Sequence, residues 1–484
     1  MADVDGWHAR DLIAPLFFSD NHDLHNLIRK RLILPYLTGS FHPAMIEEYA
    51  GGLLIALQKP DGGIRPILCG QIWRRCFASL AVNAMPVRKE AAKLFTSTYD
   101  NFIQTAGIRD GASHCAKILS CFYDNLDTTD TNDPDVIMKV DITNAFNTTN
   151  RALTLDVIGG RASRDYACGL KKGDTIPTID TLTTLFGYFK GMRTCHAKLR
   201  YFDWDGQVHL AKGKTGGQQG DPLEMLVFNL TIHHLWGRVL EKFPEARAVA
   251  YADDGYIKGK LSLALKVLAE LKHILKEDAG LELNIAKTSI LPKDISQQAV
   301  YDIAHSIIAV NPVLNQLNDD IALHSFCPEG FIGIGVPIGT NAFVRSFVAK
   351  TCRDIIDDVE KLDAIQDGFI HYQLLRFCQA TRLQYINSHI MLPNRCVLQQ
   401  QHVDCKIADA LLKKGTKQHA DDWDASSKAW AHMVLHLPHA EGGFGVTFND
   451  VTKDAAFYTT TSRFVAWVGA FPQERQKLWL PKDG

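Results

Sequence analysis

Residues 249–258 read VAYADDGYIK and place two adjacent aspartates, Asp253 and Asp254, between apolar stretches. Val249, Ala250 and Tyr251 predict a strand, Asp254-Gly255 a hairpin turn, and Tyr256-Ile257 the return strand. A carboxylate pair at a hairpin tip repels itself unless protonation, a neighbouring cation or a metal ion relieves it. Asp-Asp also occurs at 319/320, 357/358 and 421/422, where it reads as solvated surface. Taken alone, the pair at 253/254 is equally compatible with a solvated turn.

A second stretch changes the reading. In MKVDITNAFN (138–147) the strand VIMKV (136–140) ends at Asp141, and two strand ends bearing Asp141, Asp253 and Asp254 can converge. Three carboxylates so placed form a cage for one or two Mg²⁺ ions, which take hard oxygen ligands and keep positions for water or phosphate oxygens. Two ions about 4 Å apart activate a hydroxyl and stabilise a leaving oxygen together, the chemistry of phosphoryl transfer. KPDGGIRP (59–66) sets Lys59 and Arg65 on either side of a tight turn at 60–63, where both can reach one phosphate tail, Arg65 bidentately and Lys59 as a point charge. The alternative is a surface hairpin with ordinary basic residues. GGQQGDPLE (216–224) is a Gly-rich loop leading to a helix that Asp221-Pro222 should open, with Asp as N-cap and Pro at the first position, and that should run to about Phe243.

The whole chain sets bounds. Its 484 residues, 46% hydrophobic and 22% charged, are globular in composition and sufficient for two to four domains or subdomains. Eleven cysteines without paired short spacings fit reduced thiols in an intracellular compartment, nuclear or cytoplasmic, rather than secretion. Cys396, His402 and Cys405 lack a fourth zinc ligand at finger-like spacing and read as separate packing residues. The amino terminus MADVDGWHARD is no secretory signal, and no apolar run spans a membrane. A net charge of −2 gives no global basic field, although a groove can be locally basic. Arg29-Lys30-Arg31, Arg74-Arg75 and Lys413-Lys414 read as solvated helix faces.

Residues 20–50 predict helices, 51–70 two strands, 71–95 helix, and a helix from near Asn150. Further along, 261–278 is helical, GLELNIAKTSIL (280–291) gives a Gly stop and a strand, FIGIGVPIGT (331–340) is extended, and 343–415 is largely helical. The last 70 or so residues predict short helices without assignable chemistry. Strands that each deliver a polar cluster, separated by helices, give an α+β fold.

In chain order, GGIRPI with IWRR, QTAGIRDGA (104–112), VDITNAFN, QQGDPL, YADDG, GLELNIAKT and GIGVPIGT resemble the successive motifs of reverse transcriptases, most closely those of eukaryotic non-LTR-type retroelements. The likeness covers roughly residues 20–400. It implies a right-hand polymerase with fingers and the start of the palm over 1–135. The palm, with an antiparallel sheet and helices, would occupy 136–345 and hold a fingers insertion near 150–215. A helical thumb would follow over 346–410, and 411–484 would be an extension.

The resemblance implies Asp141, Asp253 and Asp254 as metal-binding carboxylates, with two Mg²⁺ ions or Mn²⁺ in substitution. It implies Phe146 beneath the incoming sugar, Gln219 and Gly220 against nucleotide and template, Lys59 and Arg65 on the triphosphate, and Lys287 as proton donor to pyrophosphate. Gly333 and Gly335 fall in a segment like the primer grip. The implied partners are an RNA template, a DNA or RNA primer and deoxynucleotides, with no membrane. Glu224-Met225 departs from the small residue and proline usual in the loop, which puts template contacts in question, and Asn147 replaces a common aspartate that binds no metal. No nuclease module is expected beside the polymerase, so the chain is either one part of an element or stand-alone. Three rival readings are an RNA-dependent RNA polymerase, which would usually carry an acidic residue where Phe146 stands, a template-independent transferase, and a non-catalytic nucleic-acid scaffold, which would not need all three carboxylates.

Overall fold

The computed structural model describes residues 21–40, 42–59, 62–317, 321–390, 396–415 and 423–480. The Asp319/Asp320 and Asp421/Asp422 pairs, residues 60 and 61 of the first turn and the amino-terminal stretch lie outside them. The architecture is mixed α/β, and the chain divides into two compact units. The first comprises residues 1–112, 128–290 and 298–325, and the second 113–127, 291–297 and 326–484.

In the first unit, β1 (Gly52–Gln58) and β2 (Ile64–Gly70) form an antiparallel hairpin. With β3 (Phe102–Gln104), β4 (Asp135–Val140), β5 (Ile142–Thr143), β6 (Ala197–Phe202), β7 (Val208–Gly213), β8 (Arg247–Tyr251), β9 (Asp254–Lys260) and β10 (Glu282–Leu283), it builds three sheets. One has the order β2-β1-β6-β7, one pairs β10 with β5, and one contains the run β4-β9-β8-β3. In the last of these, β4 and β8 both pair antiparallel to β9, which brings Asp141 to the same end as the β8–β9 tip. Helix Glu224–Glu241 is buried on nearly all sides, which is why its sequence is apolar all round rather than striped. Its Trp236 ring stacks on Phe102 of β3.

The second unit is mainly helical. Helices Asn341–Leu362 and Val397–Gly415 pack around Val348, Cys352, Ile355, Leu375, Leu383, Val403 and Ile407. The buried Asp404 carboxylate accepts from the Asn449 and Asp450 N–H groups, at 3.0 and 2.9 Å, and so satisfies orphan donors at the start of helix Asn449–Gly469. Strands β11 (Gly330–Gly333) and β12 (Val336–Gly339) close on Ile334 and Gly335, both at positive φ, as in a two-residue hairpin turn.

Several expectations shift. The β8–β9 hairpin turns at Ala252-Asp253, not Asp254-Gly255, because Tyr251 pairs with Asp254. Gly255 lies in the strand, where a Cβ would stand 2.3 Å from the Trp236 ring, so its glycine serves packing. The turn strain falls instead on Ala252, at φ 56°. The helix starts at Glu224 rather than directly after Asp221: the Asp221 carboxylate accepts from the Leu223 N–H at 2.9 Å, as a cap does, and also pairs with Arg74, ahead of the first helical residue. Arg74 is therefore buried rather than solvated, whereas Arg75 is exposed. The strand expected after Gly280 is interrupted by a 3₁₀ turn at Ile285–Lys287. The carboxy-terminal region holds a 21-residue helix, longer than the short helices expected there.

Among the described residues no helix is long and apolar enough to cross a membrane. All eleven cysteines are free thiols, Cys396 half-buried and Cys405 exposed.

Candidate active site

The first unit encloses a cavity of about 390 Å³ lined by Lys59, Arg65, Asp141, Phe146, Gln219, Asp253, Asp254 and Lys287, together with Asn147, Met225 and Tyr251. Residues scattered over more than two hundred positions of sequence are brought together by four local devices. Lys59 and Arg65 flank the β1–β2 turn, closed by Lys59 N–H to Gly63 O at 2.7 Å and Gly62 N–H to Lys59 O at 3.0 Å. Asp141 follows β4, and the β8–β9 tip carries Asp253 and Asp254. The pairing of β10 with β5 and the bond from Asn284 N–H to Asp141 O, 2.8 Å, bring the Lys287 turn to the same place.

The fourth device is the loop 216–221. Leu68 N–H donates to Gln219 O at 2.8 Å, which ties the loop to β2. Gly220 has φ 118°, and a Cβ there would meet Leu68 O at 2.6 Å, so a side chain is excluded on both counts. Gly220 does not itself line the cavity, although its neighbour does. Below the loop, Arg193 makes two hydrogen bonds to the buried Glu224 carboxylate, 2.8 and 2.9 Å. Arg74 pairs with Asp221 at 2.6 Å and donates to Ala50 O at 2.9 Å and to Gln218. Arg151 donates to the Gly216 and Cys195 carbonyls, at 2.9 and 2.8 Å. Sequence reading missed these supporting arginines; the visible signal was that Arg74, Asp221 and Glu224 flank motifs whose neighbours face the cavity.

The electrostatics are those of crowded carboxylates. Burial, then the nearby Asp254 and Asp141, push the Asp253 carboxyl up to about 6 against the opposing pull of its own backbone N–H and Arg65. Burial also raises Asp254, with Asp141 adding to the rise while Lys139 and Lys287 oppose it. The Lys139 ammonium lies 3.5 Å from Asp254 Oδ1. Among the described residues no three aspartate, glutamate, histidine or cysteine side chains are grouped as a metal-holding cluster. Asp141, Asp253 and Asp254 all line the cavity, and their carboxylates could offer hard oxygen donors to an ion there.

Phe146 is half-buried, its ring 4.5 Å from that of Phe228. It has a packing role and a cavity face at once. Gly333 and Gly335 belong to the second unit's β11–β12 hairpin rather than to this cavity lining. Cys396, His402 and Cys405 form no metal-ligand group.

No protein-family model matches the chain, and no curated protein matches it. Among solved structures it is similar to apo telomerase from Candida tropicalis, with 13% identity over 95% of this chain and 74% of that one, TM-score 0.40. A form of that telomerase truncated from its C-terminal domain gives 16% identity over 51% of each chain, TM-score 0.35. Telomerase from Candida albicans with a fragment of telomeric RNA gives 14% identity over 87% of this chain and 66% of that one, TM-score 0.36. The chain thus spans about three quarters of the length of the first of these and about half of the truncated form.

Proposed function

We propose that this chain is an RNA-directed DNA polymerase that extends a primer 3′-hydroxyl with deoxynucleotides and comes from a retroelement. One observation carries the reading: three aspartates, two basic residues on a turn and a half-buried phenylalanine, distant in sequence, line one cavity. Asp141, Asp253 and Asp254 would hold two Mg²⁺ ions, or Mn²⁺ in their place. Such ions supply activation of the attacking hydroxyl and charge stabilisation at the leaving oxygen.

The protein's own groups do the rest. Arg65 clamps the triphosphate bidentately and Lys59 adds a point charge on the same turn. Gln219, fixed through its backbone by Leu68, orients the nucleotide against the template. Phe146 fills the space a ribose 2′-hydroxyl would need and offers it no hydrogen bond. Lys287 delivers a proton to the departing pyrophosphate. In the second unit, the β11–β12 hairpin with Gly333 and Gly335 would grip the primer, with the helices after it as thumb.

An RNA-dependent RNA polymerase is the nearest rival, and Phe146 speaks against it. Primer extension by purified protein on RNA and on DNA templates, with deoxy- and ribonucleotides supplied separately, tests the reading. Template-dependent deoxynucleotide addition on RNA is expected. Extension with ribonucleotides alone would favour the rival, untemplated addition a terminal transferase, and no extension with either sugar a non-catalytic scaffold.

A further inference from the structure

The register of β4 against β9 sets out a row of charges on one sheet face. Asp135 pairs with Lys260, Ile137 with Lys258 and Lys139 with Tyr256, and the ladder ends at Val140 with Gly255, which leaves Asp141 and Asp254 next to its last rung. Along the row, Lys258 and Lys260 lie 3.7 and 3.8 Å from the Asp135 carboxylate, which therefore has its cations within the sheet. At the other end the Asp141 carboxylate acts unfavourably on that of Asp254, as like charges on neighbouring strands do. Lys139 reaches across the diagonal to Asp254 Oδ1, 3.5 Å away.

We propose that Lys139 is a built-in counter-ion of the aspartate site, which holds Asp254 while no metal is bound and weakens the site's grip on free divalent cations. The inference rests on the metal-binding reading of Asp141, Asp253 and Asp254 given above. Lys139 differs from the other two cations that act on these carboxylates, Lys287 and Arg65, in standing on a central strand, with its side chain about three-quarters buried. Lys287 and Arg65 sit on a 3₁₀ turn and beside a hairpin turn, and the reading above gives them a substrate to hold. Lys139 competes with an incoming cation for the Asp254 carboxylate. Metal would then load efficiently only when a ligand brings further oxygen donors, as a nucleoside triphosphate does.

A cross-strand ion pair that merely stabilises the hairpin predicts something different, and metal affinity separates the two. The full chain is titrated with Mn²⁺ in the absence of nucleotide, and free Mn²⁺ is read by its paramagnetic resonance signal. Wild type, Lys139→Met, Lys139→Gln, Lys139→Arg and Asp253→Asn, alone and with Lys139→Met, are compared. Removing one positive charge at ion-pair distance is expected to tighten Kd about tenfold or more in the Met and Gln variants, with Arg close to wild type and no tightening when Asp253→Asn is also present. Met and Gln variants within threefold of wild type, or weaker, while Asp253→Asn still weakens binding, overturn the counter-ion and leave the metal site standing. Mn²⁺ binding that ignores Asp253→Asn overturns the metal site and the counter-ion with it. The Gln variant keeps the test decisive if the Met variant does not fold.

Discussion

Asp253→Asn separates the cost of the aspartate site from its use. The Asp253 carboxyl is raised from 3.8 to about 6, chiefly by burial, so its ionised form is penalised in the folded chain. For a raised pKa the stabilising contribution is complete below the unfolded value and is lost as pH climbs through the folded one. The difference, 6 minus 3.8, is about two pKa units, or at most about 3 kcal/mol at 1.36 kcal/mol per unit. The residue is half-buried, and solvent screening reduces this to about 1–2 kcal/mol. Asparagine carries no charge, so above pH 7 and with metal chelated the variant should be the more stable protein by that amount. The gap should shrink to roughly half at pH 5 and close toward pH 4. Urea denaturation followed by tryptophan fluorescence, with EDTA, from pH 5 to pH 8, measures it. Added Mg²⁺ should stabilise wild type alone, by about 2.7 kcal/mol at a hundredfold excess over Kd. Polymerisation should fall by orders of magnitude in the variant and remain intact in Asp357→Asn, an exposed aspartate of the second unit. A variant less stable than wild type at pH 8, or a gap independent of pH, would refute the account of a carboxylate penalised by burial and its charged neighbours.

Arg65→Ala should raise the nucleotide KM at least tenfold with stability changed by under about 0.5 kcal/mol, since the side chain is exposed; steady-state kinetics and melting check both. Phe146→Val should improve ribonucleotide use relative to deoxynucleotide about tenfold, a barrier change of about 1.4 kcal/mol, while loss of packing on Phe228 costs about 1–3 kcal/mol of stability; single-nucleotide incorporation decides it. Glu224→Ala strands the buried Arg193 and should cost about 3–5 kcal/mol in denaturant unfolding, partly recovered when Arg193→Met is added. Ala252→Gly should relieve the left-handed strain at the hairpin tip and stabilise by about 0.5–1 kcal/mol in the same assay.

What was legible in the sequence were features written in short range. The β1–β2 hairpin, β4 ending at Asp141, the Asn150 cap and the αL stop at Gly280 follow from alternation, side-chain capping and glycine chemistry within a few residues. The misplaced turn at Asp254-Gly255 shows where such rules end. Asp-Gly is a strong turn signal, yet Trp236 of a distant helix needs Gly255 in the strand, and tertiary packing forces the turn onto Ala252. Arg74 was misread for the same reason: nothing near it announces that Asp221, far along the chain, supplies its partner. The cavity-lining residues could be grouped because their motifs come in a known order; the arginines that support them could not, since each acts through a backbone carbonyl or one remote carboxylate.

Those supporting arginines bear on the chain's departure from the usual loop. Glu224 does not face the substrate cavity: its carboxylate is turned under the loop to Arg193, and a Cβ on Gly217 would stand 1.7 Å from its Oε1. Glycine at 217 and glutamate at 224 are therefore one packing solution, in which a buried ion pair takes the place that a small residue would leave empty. Met225 does line the cavity, as Gln219 does, so what the departure puts on the cavity wall is a flexible thioether rather than a charge. Asn147 adds its backbone carbonyl, which accepts from Thr215 Oγ1 at 3.0 Å and holds the other end of the loop. The loop is anchored by the partners of Arg74, Arg151 and Arg193. An unusual residue at 224 thus alters how the loop is held while the cavity wall it presents, Gln219 and Met225, stays uncharged.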